Sequence, residues 1–237
     1  FLKTANMDVL ISQADDEAEE MDIYRRFAAS RRVDAVLLHT PRPNDRRIAL
    51  LQDLSLPFVL HGRSEGASPH AYLDIDNEDA IFRSTRHLLD LGHRRIALIN
   101  GMADLTFAIH RDRGYGRALA AANRVVDPNL VLRGPFTDET GFRMGNQLLQ
   151  MASPPSAIVV GSVQSALGVM RAVRVAGLTV GEDVSVVAHD DVLPYIRPES
   201  LVPALTTTRS SLRAAGVRLS EMLVDLINGR RAFQTSA

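Results

Sequence analysis

His87-Leu88-Leu89-Asp90-Leu91-Gly92-His93-Arg94-Arg95-Ile96-Ala97-Leu98-Ile99-Asn100-Gly101 is the stretch on which the rest of the chain is read. It opens on the end of an amphipathic helix spanning residues 78–91. Gly92 then supplies the left-handed conformation that closes helices. Residues 96–99 are apolar on both faces, the pattern of a parallel strand covered by helices on each side. A helix, a glycine stop and a doubly buried strand in direct succession form one joint of a strand-helix alternation.

The alternation continues in both directions. Short apolar runs at residues 7–12, 35–38, 58–60, 130–133, 157–160 and 184–188 read as strands. Helical periodicity is seen at residues 16–31, 111–122, 139–151, 164–176 and 210–227, with Gly177 and Gly229 as further stops. Repeated βα units predict parallel sheets with right-handed crossovers, which take ligands beyond the carboxyl ends of their strands. The loops opening near Thr40, His61, Asn100, Gly161 and His189 are therefore where function is expected.

A chain of 237 residues suits one large domain or two connected lobes. With 46% hydrophobic and 23% charged residues it is expected to fold into a packed globule. A formal charge of −1 gives no global reason to bind a polyanion. The chain has no cysteine, which excludes a disulfide frame, a thiolate metal site and a cysteine nucleophile. No apolar run approaches the ~20 residues of a membrane span, and Phe1-Leu2-Lys3-Thr4 does not begin a signal peptide, so no membrane partner is expected. The abrupt start without Met reads as a fragment.

The opening segment resembles the helix-turn-strand signature of the lactose-repressor (LacI) family. Four further motifs follow in order. Arg111-Asp112-Arg113-Gly114-Tyr115 is similar to the family's R-x-x-G-aromatic motif. Ser156-Ala157-Ile158-Val159-Val160 precedes Ser165-Ala166-Leu167-Gly168. Val184-Ser185-Val186-Val187-Ala188-His189-Asp190-Asp191 and Pro203-Ala204-Leu205-Thr206-Thr207-Thr208 complete the set, which covers roughly residues 33–229.

The resemblance implies an α/β fold of two doubly wound parallel-sheet lobes, periplasmic-binding-protein-like type I, joined by three crossings with an effector held in the cleft. Lobe one is expected at residues 1–101 plus 208–230 and lobe two at 102–207, leaving 231–237 as a tail that could join lobe two. The implied function is the effector-sensing part of a cytoplasmic, homodimeric transcriptional repressor and not an enzyme. Its partners would be a small effector, a sugar ahead of a purine, and operator DNA reached through an N-terminal helix-turn-helix missing from this sequence. The competing reading is a solute-binding protein of sugar uptake.

The resemblance also assigns site residues. Arg111 is carried over as the group that forks onto effector oxygens, a task suited to planar guanidinium donors. Asp190 is carried over as a hydroxyl acceptor, with a structural loop or cap role more natural for Asp191. Neither Arg111 nor Asp190 is assigned to packing. Phe136 matches an aromatic cleft wall, with core packing the competing reading. Asp76 and Asp79 fall near the start of a lobe-one helix, where Asn77 reads as the cap. His189 either lines the cleft or is a satisfied structural histidine.

Where many relatives have Asn-Asp, this chain has Gly161-Ser162-Val163, so Ser162 alone retains a side-chain hydrogen bond there. The paired arginines Arg25-Arg26, Arg31-Arg32, Arg46-Arg47 and Arg94-Arg95 read as solvated helix ends and surface ion pairs rather than a nucleic-acid surface. Gly114-Tyr115-Gly116 lacks the context of a dinucleotide fingerprint. No nucleophile elbow, phosphate loop or acid-base constellation is present, and neither a cofactor nor a metal is expected.

Overall fold

The computed structural model describes residues 7–66 and 68–230 and the backbone of residues 235–236. Phe1-Leu2-Lys3-Thr4 and most of the expected tail lie outside the described residues. Among the described residues the strands form two all-parallel sheets in separate units, the first built from residues 1–75 and 213–237 and the second from 76–212.

The first sheet runs β1 (Val36–His39), β2 (Phe58–His61), β3 (Ala71–Asp74), β9 (Thr235–Ser236). Its faces are covered separately: Tyr24, Leu38, Ile48, Leu51, Phe58 and Leu60 pack on one side, and Val59, Leu73, Leu219 and Met222 on the other. These side chains come from α1 (Glu17–Ser30), α2 (Arg46–Asp53) and α7 (Leu212–Ile227) as well as the strands. Local capping matches the sequence: the Asp16 carboxylate accepts from the Glu19 amide at the start of α1, and Arg31 closes it at φ 49°.

Two expectations fail here for physical reasons. Residues 7–12 form no strand, and Val9 and Ile11 are 67% and 88% exposed, because an extended segment becomes a strand only when a neighbour takes up its backbone groups. Arg47 is not a solvated helix end. It is buried, donating from Nε and Nη2 to Asp45, from Nη1 to Glu20 and from Nη2 to the His39 carbonyl.

The second sheet has the order β5 (Val131–Arg133), β4 (Ile96–Asn100), β6 (Ala157–Val160), β7 (Ser185–Asp190), β8 (Thr206–Arg209). The chain moves from β4 outward to β5, then returns to the other side of β4 for β6, so the switch point lies between β4 and β6. Around the sheet run α3 (Asn77–Asp90), α4 (Thr106–Ala121), α5 (Asp138–Leu149) and α6 (Val163–Val175). Ile99, Ile158, Val160, Leu148 and Val169 belong to the core on one face; Ile96, Leu98, Val159, Ile81 and Tyr115 belong to that on the other.

This topology corrects the expected boundaries. β4 pairs with β5 and β6, which draws α3 and β4 into the second unit rather than lobe one, and β8 pairs with β7, which keeps Thr208 there as well. The final strand pairs with β3 of the first unit, not with lobe two. Among the described residues the chain passes between the units at residues 75–76 and 212–213.

The opening motif has a structural task. His93 places Nδ1 2.9 Å from Ser156 Oγ and Nε2 2.9 Å from Ser185 Oγ, bridging the segments that lead into β6 and β7. Arg95 donates to the Ser153 carbonyl and to Asp127. These contacts fasten the amino ends of the strands.

Glycines set the approach of the helix pairs. A Cβ on Gly168 would lie 1.9 Å from the Asp138 carbonyl oxygen, so α5 and α6 cannot keep their spacing with any larger residue. Gly168→Ala is expected to lower stability by about 1–3 kcal/mol through overpacking. Gly216→Ala, in α7 where nothing lies within 4 Å of the new methyl, should instead raise it by roughly 0.5–1 kcal/mol. Urea denaturation of the two variants checks the contrast, and equal changes would refute it.

Candidate ligand site of the second unit

At the switch point, beyond the carboxyl ends of β4 and β6, the chain gathers polar groups around one buried cation. Arg111 is only 4% exposed. It sits on α4, and its Nε donates to Asn77 Oδ1 at 2.8 Å while Nη1 donates to the Gly161 carbonyl at 2.7 Å. The guanidinium carbon lies 5.0 Å from the Phe107 ring centre and 5.7 Å from that of Phe136, within cation–π range of both.

Small residues make room for the rings. A Cβ on Gly161 would come within 2.9 Å of Phe136, and one on Gly101 within 2.7 Å of Phe107. Asn100, fully buried, donates to the Ala108 carbonyl and to Asp112, and accepts from the Gly101 amide. These bonds tie the end of β4 to α4. The rest of the R-x-x-G-aromatic motif is structural: Gly114 lets α4 approach the Glu78 carbonyl of α3, and the Tyr115 hydroxyl donates to the Ile96 carbonyl.

The end of β7 adds three polar residues. His189 is 1% exposed, with Nδ1 3.1 Å from Thr208 Oγ1 and Nε2 2.9 Å from Ser210 Oγ. Burial, assisted by the Arg111 charge, pushes its pKa down to about 3, so the ring is neutral and matches its hydroxyl neighbours with one donor and one acceptor. Asp190 is 1% exposed; Oδ1 accepts from the Val192 amide and Oδ2 from Arg209 Nε. Asp191 is raised above the ordinary carboxyl range by burial, an effect that Arg111 opposes and the Asp190 charge reinforces. Arg111 thus acts on the Asp191 carboxyl group, and Asp190 holds the turn after β7 and the neighbouring strand.

The remaining expected residues are placed differently. Phe136 stands beside Phe107 with centroids 5.9 Å apart, lining Arg111 rather than filling the core. Ser162 is buried and caps α6 by accepting from the Gln164 amide. Asp76, not Asn77, caps α3, accepting from the Asp79 amide. Asp79 faces Arg117 at 3.6 Å. Asn77 is instead the partner of Arg111. Phe107 also went unread, although it precedes Arg111 by one helical turn, the spacing at which helix side chains meet.

The comparisons with known proteins agree with this architecture. The periplasmic binding protein-like domain family matches residues 85–236. The HTH-type transcriptional regulator AglR of Rhizobium meliloti (strain 1021) is 48% identical over 207 residues, 87% of this chain and 58% of that protein. A regulatory protein of the LacI family from Chloroflexus aggregans has a TM-score of 0.85 and 32% identity, over 99% of this chain and 83% of its own. The chain belongs to the LacI family.

A second LacI-type relative, the HTH-type transcriptional regulator CelR of Thermobifida fusca, is 34% identical over 86% of this chain and 59% of that protein. A solved transcriptional regulator CelR–cellobiose complex has a TM-score of 0.86 and 30% identity, covering 99% of this chain and 71% of its own. The chain thus spans under three fifths of these two curated relatives. Both are transcriptional regulators rather than enzymes or uptake proteins. No helix among the described residues is long and apolar enough to cross a membrane.

Proposed function

We propose that this chain is the effector-sensing part of a LacI-family transcriptional regulator and that its effector is a small sugar. The observation that carries this reading is the buried Arg111 guanidinium set against two phenyl rings at the switch point. Phenyl faces suit the C–H faces of a sugar ring, while a guanidinium and a carboxyl group supply donors and acceptors for hydroxyls. The cellobiose complex of a relative at 30% identity supports the same ligand class.

In the complete protein, a helix-turn-helix preceding this sequence would bind operator DNA in the cytoplasm as a homodimer, since two-fold operators are read by paired half-site readers. The sugar would act by binding one conformational state better than the other. A thermal-shift panel of cellobiose, other disaccharides, monosaccharides and purine bases tests the ligand class. A raised melting temperature with a sugar and none with purines is expected. Purine-only stabilisation would replace the sugar reading.

A further inference from the structure

The first unit carries a separate constellation at the carboxyl edge of its own sheet. His39 ends β1 and His61 ends β2, and the parallel register sets them side by side. Their Nδ1 atoms are 3.2 Å apart, with ring centroids 5.3 Å apart and planes at 85°. The backbone that follows each histidine is unusual. Thr40, a β-branched residue, stands at φ 48°, and Gly62 at φ 104° packs so closely that a Cβ would lie 2.8 Å from Pro41 Cδ. Arg47 donates from Nη2 to the carbonyls of both His39 and Thr40, holding this turn from below. Strain of this kind persists where the surroundings impose it and clusters at ligand clamps.

Two imidazole nitrogens bound to one tetrahedral ion at ~2.0–2.1 Å each are about 3.3 Å apart. The two rings share a hydrogen bond at 3.2 Å, close to that spacing, so an ion could take the place of the shared proton with little movement of either ring. We propose that His39 and His61 form a two-imidazole chelate for a divalent transition-metal ion of the zinc, nickel or copper type, the class that imidazole suits. Among the described residues no group of three or more histidines, cysteines or carboxylates is arranged to hold a metal. The protein therefore supplies two ligands, and water or the oxygens of a small molecule complete the shell. Asp45 and Glu20, both bonded to Arg47, offset its charge beneath the site.

Calorimetric titration of the full chain with ZnCl2 and NiCl2 tests the chelate. One equivalent should bind to the wild type and raise its melting temperature. Losing an outer-shell partner already costs about 10- to 100-fold in metal affinity, so His39→Gln and His61→Gln, each losing a direct ligand, should bind at least ~100-fold more weakly. His87→Gln, near the end of α3, should bind as the wild type does. Unchanged affinity in either active-pair variant overturns the proposal. If a variant fails to fold, Cu2+ electron paramagnetic resonance of the wild type decides: two equatorial nitrogens uphold the chelate, and none or one refutes it.

Discussion

Arg111→Ala is expected to abolish the sugar-induced thermal shift and also to destabilise the unliganded chain, contrary to the sequence reading that gave Arg111 no packing role. The substitution removes the Arg111 donor from the Asn77 side-chain oxygen and from the Gly161 carbonyl, both in buried positions. Each unsatisfied buried acceptor costs about 1–3 kcal/mol. Loss of the two ring contacts adds to this, so a fall of roughly 3–5 kcal/mol is expected. A direct charged hydrogen bond to the ligand would account for a further one to two decades in affinity, at about 1.5–3 kcal/mol.

Arg111→Lys separates the two roles. It retains a cation near His189 and Asp191 but cannot present two donors in a fixed fork, so it should regain part of the stability and little of the sugar affinity. Arg113→Ala, at an exposed position of the same helix, should change stability by less than about 0.5 kcal/mol. Denaturation and calorimetry on the three variants provide the comparison. Wild-type stability and affinity in Arg111→Ala would remove this residue from the site.

Acidification should destabilise the chain well before its carboxylates titrate. In the fold, His189 stays neutral down to a pKa of about 3, whereas the unfolded ring titrates at 6.5. Above pH 6.5 both states are neutral and this residue contributes no slope. Between pH 6.5 and 3 the unfolded chain takes up a proton that the native chain does not, so stability falls as pH falls, by about 1.4 kcal/mol per unit and about 5 kcal/mol in all.

His39, His61 and His93, all lowered by burial, act with the same sign. Asp45, which burial raises but which hydrogen bonds from Arg47 and the Arg42 amide, with the Arg47 charge, lower on balance, continues the loss at lower pH; raised Asp191 opposes it. Urea denaturation at pH 7.5, 6, 5 and 4 should show the slope, and His189→Gln should flatten it by one proton. A variant with the wild-type slope would place the uptake elsewhere.

The sequence was most readable where the local signal and the tertiary pairing agree. Residues 157–160 are apolar on both faces and form β6 with those bounds, and five of the six expected helices both start and end within two residues of those observed. α4 begins at Thr106 rather than 111 because no capping side chain marks it. Its start is tied instead to Asn100. β3 and β8 are four-residue strands defined by their neighbours more than by their own pattern.

The motif singled out Arg111, which the fold buries at the switch point. Its anchor Asn77 was not legible, because the two are 34 positions apart and meet only through the packing of α3 on α4. The division of labour between Asp190 and Asp191 depends on Arg209 and on the Val192 turn, neither of which adjacency in sequence reveals. The pairing of His39 with His61 likewise needs the β1–β2 register.

The hydrogen bonds at the borders of the second unit give the site a reach that distance alone would not. The chain enters this unit at Asp76 and leaves it after Leu212. Asn77, one residue past the entrance, is held by Arg111; Leu212, at the exit, donates its amide to the Asp191 carbonyl, and Ser210 donates to that of Asp190. Both connecting passages are thus moored to the residues proposed to grip the sugar. A displacement of Arg111 or of the end of β7 would pull on the two tethers directly, with no need to deform the sheet or its close-packed interior.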